Sequence, residues 1–281
     1  MPAIYAHNRF GEAVISKLPK KLLDILNQYP EALHLGFQGP DILFYHHPIK
    51  KNAVRQIGVD LHHLPAAGFF VEQAKKLYVK DDAGNFTILD SPLTSYIAGF
   101  LCHFLLDATT HPLIYQVQAT GISHGKIESE FDKYLRRKDG KPIRGYNVAH
   151  SFTKENGTAA AVATALGVTD KQAALAIKTM KQINGFFVCK SEAFHALAHL
   201  LLKIAGMDRK FGDMFLHKKD DPACKDCNVE LTALLENAVS WAAEQVEAYF
   251  SSLEEIATTG KMDDFYNKLY TGGTIDANPE I

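Results

Sequence analysis

Apolar positions recur at three- and four-residue spacing along most of the chain. Between Ala13 and Gln28, Val14, Leu18, Leu22, Leu23 and Leu26 share one side, with Lys17, Lys20, Lys21 and Asp24 opposite. That is the period of a half-buried helix. The same spacing predicts helices over Pro65–Tyr78, Pro92–Thr110, Ser151–Leu166, Asp170–Ile183, Ser191–Ala205 and Val229–Thr258. Thr169 before Asp170 has the chemistry of a helix start. Strand-like pieces are few: Asn85–Leu89, after the polar turn at Asp81–Gly84, and Leu113–Gln118. There is no internal repeat and no low-complexity linker. The pattern predicts a single all-α domain over residues 1–270, with residues 271–281 as a frayed tail. A polar loop at Lys138–Pro142 divides a histidine-rich half from a plainer one.

Composition narrows the class. Hydrophobic residues make up 47% of the 281 and charged residues 22%, a globular balance that excludes extended disorder. A net charge of −2 gives no global field for a nucleic-acid backbone, so a nucleic-acid partner is not expected. Of the four cysteines, Cys102 and Cys189 sit in apolar runs as small hydrophobes. Cys224 and Cys227 form a lone CxxC without the second pair of a zinc ribbon, and read as a surface loop. The start of the chain lacks a basic and apolar signal pattern, and no apolar run reaches the ~18 residues of a membrane span. The expectation is a cytoplasmic protein.

Histidine changes the picture. There are 13, and many stand beside carboxylates. His103, Asp107 and His111 fall at i, i+4 and i+8, within roughly an 80° arc of one helix face. Their neighbours Phe100, Leu101, Phe104, Leu105 and Leu106 predict a buried helix. His124, Glu128 and Asp132 repeat the spacing at once. A buried carboxylate is expensive unless it is paired, and a divalent cation would neutralise it while engaging the imidazoles. Zinc suits such a mixed set, although manganese or iron would also accept it.

These runs resemble the bacterial zinc-dependent phospholipase C family. The resemblance rests on His7 in His-Asn-Arg-Phe-Gly, Asp41 in Gly-Pro-Asp-Ile-Leu-Phe-Tyr, and His62 after Gly58-Val-Asp-Leu. It continues through His103-xxx-Asp107-xxx-His111-Pro and His124-xxx-Glu128, covering about His7 to Asp132. It implies an all-helical fold with two or three zinc ions between helices. By the same resemblance Asp41, His62, His103 and Asp107 hold the first ion, and His111, His124 and Glu128 the second. His7 and a bridging Asp107 would hold the third, together with a processed N-terminal residue that Met1-Pro2 does not obviously supply. His46, His47 and His63 compete with His62 for its role. Asp132 reads as an acceptor that orients a ligand histidine. The implied activity is hydrolysis of a phosphoester, a phospholipid head group or a soluble one, by a metal-activated hydroxide. Asp107 would bridge the ions and Asp41 would act as a base. Phe44, Tyr45, Phe69 or Tyr115 would be available to stack on a base if the substrate were a nucleic acid.

Three other readings stay open at this level. Gly121-Ile-Ser123-His124-Gly125 matches the G-x-S-x-G elbow of serine hydrolases, after the strand expected at Leu113–Gln118. His195 and His199 have the spacing of a zinc-protease helix, but Ala196 stands where its glutamate base belongs. Zinc could also act only as a structural staple in a non-catalytic module.

Overall fold

A computed structural model describes residues 4–80, 84–188, 190–204, 206 and 212–273. Cys189, the residues before Ile4 and those after Gly273 lie outside the described ones.

The centre is one long helix. Helices α1 (Ile4–Ile15), α2 (Lys20–Leu26) and α3 (Pro30–Gly36) lead into a 3-10 turn at Gly39–Tyr45, then α4 (Ala53–His62) and α5 (Ala66–Leu77). A short hairpin, β1 (Tyr78–Lys80) against β2 (Phe86–Ile88), is antiparallel with Val79 opposite Thr87. Helix α6 (Pro92–Gln118) follows, buried at every residue from Leu93 to Ala108. It shows no one-sided apolar stripe because α1, α3, α7 (His124–Lys138), α8 (Thr158–Leu166) and α11 (Lys225–Ser251) surround it. An 18-residue window of α6 has mean hydropathy 1.3, enough by length and composition to cross a membrane, which the expectation of no such run did not anticipate. That window is 83% buried by the rest of the chain, as in a core helix. Helices α9 (Asp170–Phe187), α10 (Glu192–Ile204) and α12 (Leu253–Thr259) complete the bundle.

Helix α6 can lie so deep because α3 crosses it backbone against backbone. A Cβ on Gly99 would sit 2.3 Å from the Leu33 carbonyl oxygen, and one on Gly36 2.3 Å from that of Tyr96. Both glycines serve that close approach.

Several expected elements are corrected. Ala13–Gln28 is not one helix: α1 ends at Ile15, and Pro19, which cannot continue a helix, stands before α2. Leu113–Gln118 is not a strand but the last turns of α6, which runs on through Pro112. A short apolar run has no period of its own, and the preceding helix decides it. Gly157, at φ +76°, delays α8 to Thr158, and a break at Ser252 divides the helix expected over Val229–Thr258. The helix start at Thr169 is a full capping box with Gln172. Helix α10 packs inward through Ala198 on Phe187 and Phe215 and leaves Leu197, Leu200, Leu201 and Ile204 exposed.

Candidate metal centre

Five separate segments deliver polar side chains to one place beside α6. His103, Asp107 and His111 project from α6 itself, and all three are buried. Helix α1 brings His7, the 3-10 turn brings Asp41, the last turn of α4 brings His62, and the first turns of α7 bring His124 and Glu128. The ligand atoms gather into three groups, His7–His103–Asp107, Asp41–His62–His103 and His111–His124–Glu128, each with all its atoms within 4.8 Å of one another. All eight residues that the family resemblance marks as ligands lie in one or another of them. His103 belongs to two.

Local sequence explains each placement. Gly39 turns the chain at φ +49° directly under His103, where a Cβ would meet the ring at 2.3 Å. Asp41 follows two residues later. Tyr96 donates its hydroxyl to the Gly39 carbonyl at 3.2 Å and fixes the turn to α6. Asp132 has a different duty from the one expected. Its oxygens accept the backbone N–H groups of Tyr5 (3.1 Å) and Ala6 (2.9 Å), so it caps α1 rather than orienting a ligand imidazole through its ring nitrogen. The effect still reaches the centre, because α1 so held sets His7 Nε2 3.0 Å from Asp107 Oδ1.

The histidines are oriented by their other ring nitrogen. His103 Nδ1 lies 3.2 Å from the Phe37 carbonyl, and His62 Nδ1 lies 2.6 Å from that of Gly58. His111 Nδ1 faces the Asp107 carbonyl at 3.1 Å, and His124 Nδ1 the Gln118 side-chain oxygen at 3.2 Å. A carbonyl only accepts, so each Nδ1 donates. The Nε2 atoms are left for the centre. There they face carboxylates: His103 to Asp107 Oδ2 at 3.1 Å, His62 to Asp41 Oδ1 at 3.2 Å, and His124 to Glu128 Oε1 at 3.2 Å. Among the described residues, His103 Nε2 is buried there without a hydrogen bond. A neutral imidazole would set its lone pair against an anionic oxygen. A proton on Nε2 resolves that conflict, and so does a cation shared by both atoms.

The charges fit a cation. Burial works against ionisation of Asp107, but His111, His103 and His7 outweigh it and hold the carboxyl well below its usual range. Burial likewise opposes ionised Glu128, which is still held well below its usual range, with His124 and His111 among the groups that lower it. Asp41 is lowered too, with His62 and His103 overcoming its burial. Burial lowers His111, whereas Asp41 raises His62 and Glu128 raises His124 against theirs. Three anionic carboxylates in one buried cluster, with imidazole nitrogens turned toward them, form the oxygen and nitrogen donor set that zinc takes.

The competing residues fall elsewhere. His46 binds Asn52, His47 turns at φ +47°, and His63 is exposed with its ring on the Val59 carbonyl. Ser123 caps α7, accepting the Lys126 N–H and donating to Asp213. It follows a helix and not a strand, so the context of a nucleophile elbow is missing. Cys224 and Cys227 are buried at the start of α11 instead of lying in a surface loop, and burial lifts both thiols to about 11. His195 and His199 lie on α10 among Phe215 and His217. Of the aromatics, Phe44 stacks on His62 and Tyr115 lies beside His111 and His124, while Phe69 stacks on Phe100 in the core.

Sequence reasoning missed Gly39 as the floor beneath His103, and it missed Tyr270. That tyrosine, between the 3-10 turn Asp264–Asn267 and Gly272, places its ring 5.1 Å from His62 and 6.1 Å from His103. Only the first had a signal, the Gly-Pro-Asp run itself.

No curated protein and no solved structure matches the chain. The sequence model described as zinc dependent phospholipase C matches residues 6–179. That span is well over half of the chain and contains all five segments that deliver side chains to the centre. The chain belongs to the zinc-dependent phospholipase C family.

Proposed function

We propose that this protein hydrolyses the phosphodiester bond of a phospholipid head group, with two or three zinc ions held by His7, Asp41, His62, His103, Asp107, His111, His124 and Glu128. One observation carries the reading: a carbonyl-anchored imidazole turns its Nε2 onto a carboxylate at both His103 and His62. A structural polar network would place the donors and acceptors in complementary pairs. Here the pairs become complementary once a cation or proton lies between them. Zinc, when bound, supplies Lewis acidity: it lowers the pKa of water to about 7 and neutralises charge on phosphoryl oxygens.

The chain's own residues do the rest. Asp107 directs Oδ1 toward His7 and His111 and Oδ2 toward His103, so one carboxylate spans two groups of ligands. The Asp41 side chain is 22% exposed, against 4% for Asp107 and 6% for Glu128. A base must reach water and substrate, and its greater exposure supports Asp41 as the carboxylate that takes a proton from the attacking water. Phe37 and Gly58 keep their histidines in a single tautomer.

Elemental analysis of protein purified without chelator is expected to find at least two zinc ions per chain. The zinc-loaded protein is then assayed on phosphatidylcholine vesicles, bis(p-nitrophenyl) phosphate and p-nitrophenyl phosphate. Turnover of the lipid with release of diacylglycerol, lost in Asp41→Asn, supports the reading. Less than half an equivalent of metal, or metal bound with none of the three substrates cleaved, overturns it.

A further inference from the structure

The C-terminal segment beyond the family match closes over the centre and is fastened there. Gly272, at φ +77°, lies on α6 where Pro112 interrupts the hydrogen-bond ladder. A Cβ on it would meet the Ala108 carbonyl oxygen at 2.6 Å and Pro112 Cγ at 2.5 Å. Pro112 has no N–H to offer that carbonyl, and the resulting gap admits a second backbone. The segment is tied at its other end by the Ala66 N–H, which donates to the Lys268 carbonyl at 3.2 Å, and within itself by Leu269 to Gly273 at 2.9 Å. Between these ties stands Tyr270, 1% exposed.

The Tyr270 ring is packed on four sides. It lies 5.0 Å from Phe104, 5.1 Å from His62, 6.1 Å from His103 and 6.4 Å from Phe100. Its hydroxyl is buried and makes no hydrogen bond among the described residues. A tyrosine hydroxyl can donate a hydrogen bond, and the ring that carries this one packs on His62 and His103 of the Asp41–His62–His103 group. A buried hydroxyl without a partner costs roughly 1–3 kcal/mol. Nothing in the apolar packing of the ring needs that oxygen, since phenylalanine would fill the same space.

Taking the phosphoester reading as its basis, we infer that the Tyr270 hydroxyl donates a hydrogen bond to a phosphoryl oxygen of the substrate bound at the Asp41–His62–His103 group. A tetrahedral oxyanion supplies the acceptor that this donor lacks. Zinc itself accepts no hydrogen bond, so Tyr270 complements the ions instead of duplicating them. The placement makes the C-terminal segment part of the substrate site, although the sequence before Gly121 supplies the residues proposed for two of the three metal groups.

The test compares wild type and Tyr270→Phe, both zinc-loaded, with inorganic phosphate as the probe. Titration calorimetry measures the phosphate Kd, elemental analysis the zinc content, and thermal melting of chelated protein the stability. Expected are equal zinc content, a melting temperature of chelated Tyr270→Phe at or above wild type, and phosphate binding weakened about tenfold or more. Equal phosphate affinity in the two proteins overturns the inference and leaves the hydrolase reading standing. Loss of zinc in Tyr270→Phe also overturns it, because the tyrosine would then act through the metal. A zinc-loaded wild type that binds no phosphate overturns both.

Discussion

Gly39 lies directly beneath His103: a Cβ on the glycine would meet the imidazole Cδ2 at 2.3 Å, and the backbone there turns at φ +49°. The two constraints act on the same residue. The left-handed conformation lets the chain reverse out of α3, and the missing side chain lets the imidazole lie flat on the turn that carries Asp41. Gly39→Ala must therefore displace the ring or the turn. Strain in the left-handed region and overpacking each cost about 1–3 kcal/mol. The variant is expected to melt several degrees lower and to bind zinc at below wild-type stoichiometry. Unchanged melting and metal content would show that the turn does not set the position of His103.

Asp107 and Ser123 give opposite expectations. Asp107→Asn keeps the size of the side chain and removes the charge facing His7, His103 and His111. Zinc occupancy is expected to fall and phosphoesterase activity to be lost. Ser123→Ala removes an N-cap, costing about 1 kcal/mol of stability, and is expected to leave activity and zinc intact. An inactive Ser123→Ala that retained its metal would restore the serine-hydrolase reading, and the paired measurement separates the two chemistries.

Much of the centre was legible because five of its candidate ligands sit at helical spacing on two helices. His103, Asp107 and His111 fall on the buried face of α6, and His124 and Glu128 on the first turns of α7, so residue identity and interval locate them together. His62 is preferred for its place after Gly58-Val-Asp-Leu, with His46, His47 and His63 as competitors, since a loop and a helix end carry no periodicity to separate them. The last turn of α4 brings His62 Nε2 to 3.2 Å from Asp41 Oδ1. Asp132 was misread for a physical reason: spacing on α7 gives its face but not what that face meets, which is the start of α1. Tyr270 was illegible. It reaches the centre through a contact between Gly272 and Pro112, separated by 160 residues, and nothing near it in the sequence points to a metal.

The Asp132 carboxyl has a pH signature of its own. Burial raises it from 3.8 to about 6, outweighing Arg136 and the two N–H donors. A carboxyl raised in the folded state binds more protons there than in the unfolded chain. Its contribution is thus fully present below the unfolded value and is lost as pH rises through about 6. Asparagine does not titrate. In chelated protein, the stability of Asp132→Asn relative to wild type is expected to improve by roughly 3 kcal/mol between pH 3.5 and pH 7. The lost second acceptor shifts the whole comparison by a constant amount and does not tilt it. Urea melts at each pH measure the difference, and parallel profiles for the two proteins would refute the buried, titrating carboxylate.

Removing metal tests whether the five segments share one cluster. Binding free energy becomes folding free energy when ligands come from parts of the chain that the unfolded state keeps apart. His7 on α1, Asp41 in the 3-10 turn, His62 on α4, the α6 stripe and the α7 pair meet only through the centre and the core beneath it. Without a cation, Asp41, Asp107 and Glu128 must draw protons onto the facing imidazoles or repel one another. Chelation is therefore expected to lower the melting temperature and to speed amide exchange in α1, the Gly39–Tyr45 turn, α4 and the start of α7. The segment around Tyr270 is expected to respond with them, because its ring packs on His62 and His103. Helices α9 and α10 carry no residue of the centre and are expected to change least. Adding zinc back should reverse the pattern in the same segments. Exchange that is identical with and without metal, or altered equally in α10, would mean that these side chains do not act as one cluster. The assignment of the zinc ligands would fall with that result.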